Sequence, residues 1–220
     1  MLKCVLFSFF ALLPIASFAE DYEFAARLKG GVGFEGDVQV DINGGWFLSE
    51  KYLLLAGVRV QHVLNTKVGG ELNGNCTWTT EDDDMYNLLV PVSMELTFPL
   101  YTTEEKVFSF FLEPELLLHL FPQDNFTVNY EEWKGYEMKT WSKTYTGRNF
   151  HWAYCYAGLN TGFCYNTGYD FSISLGYELS NQDPYKKRRG TELHNVHFGD
   201  QMPAKKTLYH HIFLAVSYFM

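Results

Sequence analysis

The sequence predicts an all-β fold, an eight-stranded antiparallel up-and-down transmembrane β-barrel. Apolar and polar residues alternate through eight segments of the chain, as they do in strands with two unlike faces. Aromatic residues make up 18% of the chain and glycines number 18, yet the mean hydropathy is slightly below zero. Apolar residues are therefore dispersed singly along the chain. Finally, the last of the eight segments, residues 207–220, can close a barrel against the first strand.

Residues 1–19 have the features of an export signal. Lys3 precedes the apolar run 5–15, and Ser17 and Ala19 are small residues at the two positions that a signal peptidase inspects. We expect cleavage near Ala19, which leaves one barrel domain at 20–220. The apolar run is too short to cross a membrane as a helix, and no later segment has eighteen uninterrupted apolar residues.

The alternation gives each strand its two faces. In the first strand Leu28 lies on the apolar face and Arg27 on the polar one, and the fourth and seventh strands alternate most regularly. Lengths near ten residues or a little more suit tilted strands that cross a bilayer. The predicted strands, in chain order, are 22–35, 38–47, 52–64, 85–98, 107–121, 150–165, 169–180 and 207–220.

The connections between these strands alternate in length. The stretches 48–51, 99–106 and 166–168 are short, whereas 65–84, 122–149 and 181–206 are long. Short turns on the periplasmic side and long loops outside are typical of outer-membrane barrels, so both termini are expected at the periplasmic end. The first outer connection, around Gly36 and Asp37, is the exception and is expected to be a tight hairpin.

Alternation alone does not decide which face lies inside, because a soluble lipocalin-like carrier has the same period with its apolar face inward. Here aromatic rings stand at the ends of the apolar faces, as membrane girdles require, and the polar faces mix charges of both signs with Gly and Ser. We therefore expect the charges in the lumen, paired, because an unpaired buried charge costs several kcal/mol. A narrow pore is the alternative, although eight strands leave little more room than side chains fill. The expected lumen network consists of Glu23, Arg27, Lys29, Asp41, Arg59, Glu95, Glu113, Glu115, Asp170 and Glu178.

Two outer loops offer candidate binding residues. In the third, Trp133, Tyr136 and Trp141 lie among charges around a hairpin tip at Lys134 and Gly135, and rigid aromatic rings suit the binding of a protein or glycan. Alternatively these rings pack on each other, or the two segments enter the wall and make ten strands. In the fourth loop the basic tetrad Lys186, Lys187, Arg188 and Arg189 could clamp lipopolysaccharide phosphates.

Other chemistry is less strongly indicated. His62 and His210 are placed as a histidine of a lipid A-modifying barrel enzyme would be, but no Ser-His-Asp grouping can be drawn from the sequence. His194 and His197 form a lone H-x-x-H in a polar loop, which is weak evidence for a metal. The net charge of −9 argues against a nucleic-acid partner. We expect no catalytic residues, no metal and no cofactor.

Three short stretches carry a family resemblance: NLLVPV at 87–92, FPL at 98–100 and FFLEP at 110–114. With the strand pattern, they resemble small outer-membrane barrels of the OmpA/OmpX architecture and the porin-like outer-membrane barrel family of Bacteroidetes. The resemblance implies a Gram-negative outer membrane with its lipid and lipopolysaccharide as surroundings. For function we expect a non-enzymatic monomer that acts in surface binding, adhesion or envelope integrity. These barrels usually end in Phe, whereas this chain ends in Met220, so recognition by the assembly machinery would rest on Tyr218 and Phe219.

Overall fold

The computed structural model describes residues 24–49, 51–81, 84–103, 106–120, 125–146, 153–167 and 170–220. The export signal expected at 1–19, and Glu23, lie outside these residues. None of the helices within the described ranges has the length and apolar character needed to cross a membrane. The strands are β1 (Phe24–Gly33), β2 (Asp37–Ser49), β3 (Tyr52–Val63), β4 (Gly69–Asn73), β5 (Cys76–Thr80), β6 (Met85–Thr102), β7 (Val107–Leu120), β8 (Asn125–Lys134), β9 (Glu137–Thr146), β10 (Ala153–Asn166), β11 (Phe171–Ser180), β12 (Glu192–Leu193), β13 (Val196–His197) and β14 (Tyr209–Phe219), and two single helical turns span Lys186–Arg189 and Phe198–Gln201.

Eight of the described strands close into an antiparallel barrel in the order β1-β14-β11-β10-β7-β6-β3-β2. Strand β1 pairs on one side with β2 and on the other with β14, so Leu28 has Ile42 and Val216 as its two neighbours. The predicted fold class is confirmed, and the closing role of the last strand with it. The ten-stranded alternative is wrong, because β8 pairs with β5 and β9 and so does not enter the wall.

The period of two sets the orientation of every wall strand. In β1 the Arg27 and Lys29 side chains are buried inside the barrel, while Leu28 between them is 55% exposed on the outside. Because successive residues of a strand point to opposite faces, charges collect in the lumen and apolar side chains on the exterior. This polarity is the reverse of a lipocalin, so the soluble-carrier alternative does not fit the fold.

The two ends of the barrel differ. At one end the connections are short, as between Ser49 and Tyr52. At the other end β1 and β2 are joined by a tight turn, in which Gly36 has a φ of +87° and its N–H donates to the Gly33 carbonyl at 3.3 Å. Residues other than glycine rarely adopt this φ. The remaining connections at that end are the long ones, in agreement with the predicted alternation.

The long connections build a second small body above the barrel. Strands β4, β5, β8 and β9 form a four-stranded sheet, which we call the outer sheet. Its β5–β8 pairing joins two loops far apart in sequence, with Trp78 opposite Tyr130 and Thr80 opposite Val128. The inner face of this sheet contributes to a separate hydrophobic core, the cap core. The buried members of the cap core are Val63, Val68, Cys76, Trp78, Met85, Phe126, Val128, Tyr130, Tyr185, Phe198 and Met202.

Candidate functional site

The outer surface of the barrel wall is covered by exposed apolar side chains. They come from neighbouring strands and form a band, for example Val32 (59% exposed), Ile42 (68%) and Leu175 (59%). Soluble monomeric proteins rarely expose contiguous apolar patches larger than a few hundred Å². The band can therefore serve as a surface that faces lipid.

Aromatic rings border this band at the end with short connections. Phe24 contacts Trp46 edge to face at 5.6 Å between ring centroids. Phe108 stacks on Phe163 at 5.5 Å, and Tyr218 is half exposed on β14. Aromatic girdles of this kind border the apolar band of transmembrane barrels, and Trp46 and Tyr218 carry the polar group that suits the interface between hydrocarbon and water.

A second group of rings borders the band at the end with long connections and includes the two histidines considered for catalysis. His62 stacks on Tyr86 at 4.6 Å, and its Nε2 lies 3.0 Å from a carboxylate oxygen of Asp84. His210 stacks on Phe34 at 6.3 Å, and its Nδ1 lies 2.5 Å from the Tyr177 hydroxyl. Aromatic and polar contacts thus hold both imidazoles among the rings at this border of the apolar band. None of these contacts involves a serine that could act as a nucleophile.

The largest charge cluster in the lumen surrounds Arg59. Its Nη1 donates to Glu178 at 2.8 Å and its Nη2 to Glu115 at 3.0 Å. Lys29 joins the same group, with its Nζ 3.0 Å from Asp41, 3.1 Å from Glu178 and 3.7 Å from Glu115. The cluster contains two cations and three carboxylates, all of them buried. Their mutual attraction offsets the cost of removing these charges from water because nearly all of their hydrogen bonds are made.

A smaller cluster lies nearer the end with short connections. Arg27 reaches Glu95 at 2.5 Å and Glu113 at 3.0 Å, and its Nε donates to Ser217 Oγ at 2.9 Å. Ser93 Oγ donates to the other oxygen of Glu113 at 2.6 Å. One guanidinium therefore ties together β1, β6, β7 and β14 across the bore.

Eight of the predicted lumen residues come together in these two clusters. Glu23 lies outside the described residues. Asp170 is exposed and precedes β11, so its assignment to the lumen was wrong. Strand β11 begins at Phe171, and alternation does not define a face outside a strand.

A polar layer that sequence reasoning had not assigned lies toward the long connections. Asp37 receives hydrogen bonds from Gln61 at 2.7 Å and lies 2.6 Å from Nε2 of His211. Gln61 Oε1 accepts from Asn87 at 3.0 Å and from Gln182 at 2.7 Å. The alternation could have placed Asp37, Gln61 and Asn87 inside, because each shares a strand face with a predicted lumen charge, whereas the last strand, which carries His211, has none of those charges. Gln182 lies in a loop and carries no such signal.

Residues 182–185 close the mouth of the barrel at the end with long connections. Gln182 donates to Gln61, and the Pro184 carbonyl accepts a hydrogen bond from Asn87 Nδ2 at 2.8 Å. The buried Tyr185 hydroxyl donates to the Glu35 carbonyl at 2.7 Å. Burial and the nearby carboxylates of Asp37 and Glu35 raise the pKa of Tyr185 to about 12. The fourth long connection thus acts as a stopper that links the lumen to the cap core.

The basic tetrad does not form the outward clamp that we expected. Arg188 is only 1% exposed; its guanidinium donates to Thr66 Oγ1 at 3.0 Å and lies 5.6 Å from the Phe126 ring centroid. Arg189 makes two hydrogen bonds to Asp183, at 2.8 and 3.1 Å. A cation beside buried aromatic rings and carbonyl oxygens stabilises the cap and has little surface left for a lipid phosphate.

The two lysines of the tetrad contact the barrel rim. Lys187 Nζ donates to the Tyr86 carbonyl at 3.2 Å, and Lys186 Nζ lies 5.4 Å from the Tyr154 ring centroid. The tetrad as a whole therefore connects the cap to the barrel. Sequence reasoning missed this role because the partners are distant in sequence.

The third long connection forms the predicted hairpin, β8 and β9, with its turn at Gly135, whose φ is +68°. Trp133 is 52% exposed, Trp141 is 42% exposed, and Tyr136 in the turn is fully exposed. Trp141 shares a face with Tyr130, on whose ring it stacks at 5.1 Å, whereas Trp133 pairs with Met138 on the other face. The three predicted anchors therefore do not form one continuous patch.

The two histidines of the H-x-x-H sequence, His194 and His197, contact other side chains. His194 Nε2 lies 2.8 Å from the Tyr130 hydroxyl, which also bonds to the Tyr145 hydroxyl at 2.6 Å. Burial and the Tyr145 bond raise the pKa of Tyr130. His197 Nδ1 is 3.6 Å from Glu192. Within the described residues no group of three or more His, Cys, Asp or Glu side chains is arranged to hold a metal ion.

No protein-family model matches the chain, and no curated protein matches it. Several solved structures are similar to it. The N-terminal β-barrel domain of OprF from Pseudomonas aeruginosa is 10% identical with a TM-score of 0.43, over 90% of this chain and 98% of that one. Neisserial surface protein A (NspA) is 11% identical with a TM-score of 0.39, over 90% and 95%.

Ail, the attachment invasion locus protein of Yersinia pestis, is 7% identical with a TM-score of 0.32, over 90% of this chain and 98% of that one. At these low identities and TM-scores the fold is defined by the chain's own strand order and register. By that order and register, the chain is a closed eight-stranded antiparallel β-barrel with a separate four-stranded sheet formed by its long connections.

Proposed function

We propose that this chain is a non-enzymatic barrel of the Gram-negative outer membrane that holds the outer sheet at the cell surface for binding or adhesion. The observation that carries the proposal is the polarity of the wall. Arg59 and Lys29 are buried inside, while Ile42 and Leu175, on the outside, are more than half exposed. Water would be an unfavourable solvent for that exterior, and lipid a favourable one.

The geometry of the ends supports the same location. Rings at both borders of the apolar band match the two interfaces of a bilayer. A closed barrel satisfies the backbone hydrogen bonds of every wall strand, so no edge is exposed to hydrocarbon. With short connections on the periplasmic side, the outer sheet and the cap core face outward.

The lumen supports an anchoring role. Arg27 and Arg59 are bonded to carboxylates from several strands, and the stopper at 182–185 covers the outer mouth. An eight-stranded barrel is only wide enough for side chains to fill it, and here these clusters occupy it. The loops, above all the hairpin of β8 and β9, are then the exposed parts of the protein that can contact a partner.

Two measurements test the location. Outer-membrane fractions should contain the protein, and its electrophoretic mobility should change when the sample is boiled, because a folded barrel resists detergent at room temperature. A protein found in the soluble periplasm with no such shift would contradict the proposal.

Paired variants test the binding surface. Replacing Trp133 and Tyr136 with Ala removes the exposed rings at the hairpin tip, and we expect weaker attachment of expressing cells to a mucin-coated surface. Replacing Thr77 and Thr79, on β5 of the same sheet, with Ala is the matched control and should leave attachment unchanged. Equal attachment of both variants and the parent would contradict a binding role for the hairpin tip.

A further inference from the structure

We propose that β9 binds a second copy of this chain, with the two β9 strands pairing antiparallel about a twofold axis at Ser142. The inference rests on the proposed function, in which the outer sheet is the binding surface, and it names the partner of that sheet. It departs from the monomer that the sequence alone predicts. Three observations carry it: an open sheet edge, a self-complementary sequence and an unusually exposed strand.

The edge is open along the whole strand. In the order β4-β5-β8-β9, strand β9 is last, and it pairs with β8 from Lys134 opposite Glu137 to Asn125 opposite Thr146. On its other side no described strand pairs with it. Every second residue of such a strand directs its N–H and C=O groups to solvent, ready to pair with another strand. Among the ten residues of β9 only Tyr145 is partly covered.

The face of β9 that Trp141 occupies alternates cations with rings. Lys139 precedes Trp141 by two residues, and Lys143 and Tyr145 follow it at the same spacing. In an antiparallel pair about Ser142, Lys139 lies opposite Tyr145 of the second copy, and Trp141 lies opposite Lys143 of the second copy. Twofold symmetry repeats both pairs, so each lysine meets a ring. A cation over an aromatic face is an attractive contact, and Lys143 Nζ already lies 5.0 Å from the Tyr145 ring within one chain.

Symmetry restricts the possible registers. A twofold axis normal to the sheet keeps each side chain on its own face, so the axis must pass through one residue. An axis at Trp141 or at Lys143 puts lysine opposite lysine, which is unfavourable. An axis at Thr140 pairs only residues 137–143, whereas the axis at Ser142 pairs 138–146. The last arrangement therefore joins the longest stretch of strand without like charges in opposition.

The other face of the strand fits the same register. There Thr140 lies opposite Thr144 of the second copy, and the two Ser142 residues face each other. Cross-strand hydroxyl pairs are favourable, and the sheet already contains them, since Thr127 and Thr144 lie 3.3 Å apart and Ser142 donates to Asn129 at 2.6 Å. Lysines on an edge strand commonly prevent pairing. Here the symmetric register gives each of them an aromatic partner.

The direct test is a disulfide at the symmetry axis. Opposite residues of an antiparallel pair have Cα atoms about 4.5–5.5 Å apart, within the range that a disulfide spans. The variant S142C is made in a Cys155→Ala background, because Cys155 is an exposed thiol, and intact cells are oxidised with copper phenanthroline. We expect a reducible band at the mass of a dimer. The variants T140C and T77C, in the same sheet, are the controls and should remain monomeric.

A charge reversal tests the register. Adding Lys143→Glu to S142C replaces a cation–ring pair with an anion facing a ring, so we expect loss of the dimer band, while Lys143→Arg should keep it. A monomeric S142C variant, or a dimer formed by T140C in its place, overturns the proposal. A membrane-impermeant maleimide and the boiling shift are measured on the same samples. If S142C is neither labelled nor heat-modifiable, the proposed surface barrel itself fails.

Two tagged populations distinguish the arrangement of the copies. Mixed tags in the dimer from a single co-expressing strain show pairing within one membrane, as expected for a sheet lying flat on the surface. Mixed tags after separate strains are combined show pairing between facing membranes, as expected for an upright sheet. Both results support the β9 contact.

Discussion

Arg59 and Asp41 lie directly opposite each other on β3 and β2 and are joined by two parallel hydrogen bonds, from Nε to Oδ1 and from Nη2 to Oδ2, each 2.8 Å long. Such a planar fork fixes the guanidinium in one orientation. The remaining donors of Arg59 then point across the bore to Glu115 and Glu178. The pair thus connects one wall of the barrel to the opposite one.

Removing Arg59 should strongly destabilise the barrel. Arg59→Met leaves Asp41, Glu115 and Glu178 buried with Lys29 as their nearest cation, and breaking a buried ion pair typically costs about 3–5 kcal/mol. The measurement is the urea concentration at which the unboiled, fast-migrating form is lost in detergent micelles. Arg59→Lys keeps the positive charge but loses the two parallel hydrogen bonds, so its urea midpoint should lie between those of the parent protein and Arg59→Met. An unchanged midpoint for Arg59→Met would show that the network contributes no net stability.

The barrel should not conduct ions steadily. Phe111 and Phe213 are buried inside, with ring centroids 6.3 Å apart, and the charge clusters around Arg27 and Arg59 also occupy the bore. Reconstitution into planar bilayers should therefore give no long-lived current. A stable conductance of the size that sixteen-stranded porins give would contradict the filled lumen and revive the pore alternative.

The cap core should be separable from the barrel. Trp78 is 1% exposed in the cap core, and truncating a buried Trp to Ala typically costs about 3–5 kcal/mol. We expect Trp78→Ala to make the outer connections sensitive to protease while the boiling shift is retained. Trp133→Ala, in the same sheet but exposed, is the control and should stay resistant. Loss of the boiling shift in Trp78→Ala would mean that the barrel depends on the cap.

The stopper should loosen at alkaline pH. A tyrosine in the unfolded chain has a pKa of about 10, whereas the pKa of Tyr185 is raised to about 12. The folded cap therefore favours the protonated hydroxyl, and its stability is complete below pH ~10 and is lost as the pH rises toward about 12. Protease sensitivity of the outer connections should increase over this interval. Tyr185→Phe cannot ionise there and should weaken the pH dependence; an unaltered profile would contradict the assignment.

The wall of the barrel could be predicted from the sequence because its signal is local. The sequence predicts strand β3 at 52–64, and the strand spans Tyr52–Val63; it also predicts Arg59 inside, on the face opposite to Val58 and Val60. The prediction lost accuracy where the period ends, as at Asp170, which was assigned to a lumen that β11 enters only from Phe171. Alternation defines faces only between the first and last residues of a strand.

The cap could not be predicted in the same way. Pairing of β5 with β8 joins loops that are separated by two wall strands, and no periodicity in either loop encodes the other. Arg188 illustrates the result: its charge suggested a surface role, yet Thr66 and Phe126 surround it. The barrel strands determine which loops are neighbours, so the contacts between loops can be predicted only after the strand order is known.

The composition of the cap core has a consequence for the order of assembly. Its members come from three separate connections, represented by Trp78, Phe126 and Phe198, and strands β6, β7, β11 and β14 hold the ends of these connections near one another. We therefore expect the cap to be completed after the wall has closed. An antibody that recognises the assembled outer sheet and the 182–202 segment together would report completed barrels and ignore chains still waiting for insertion.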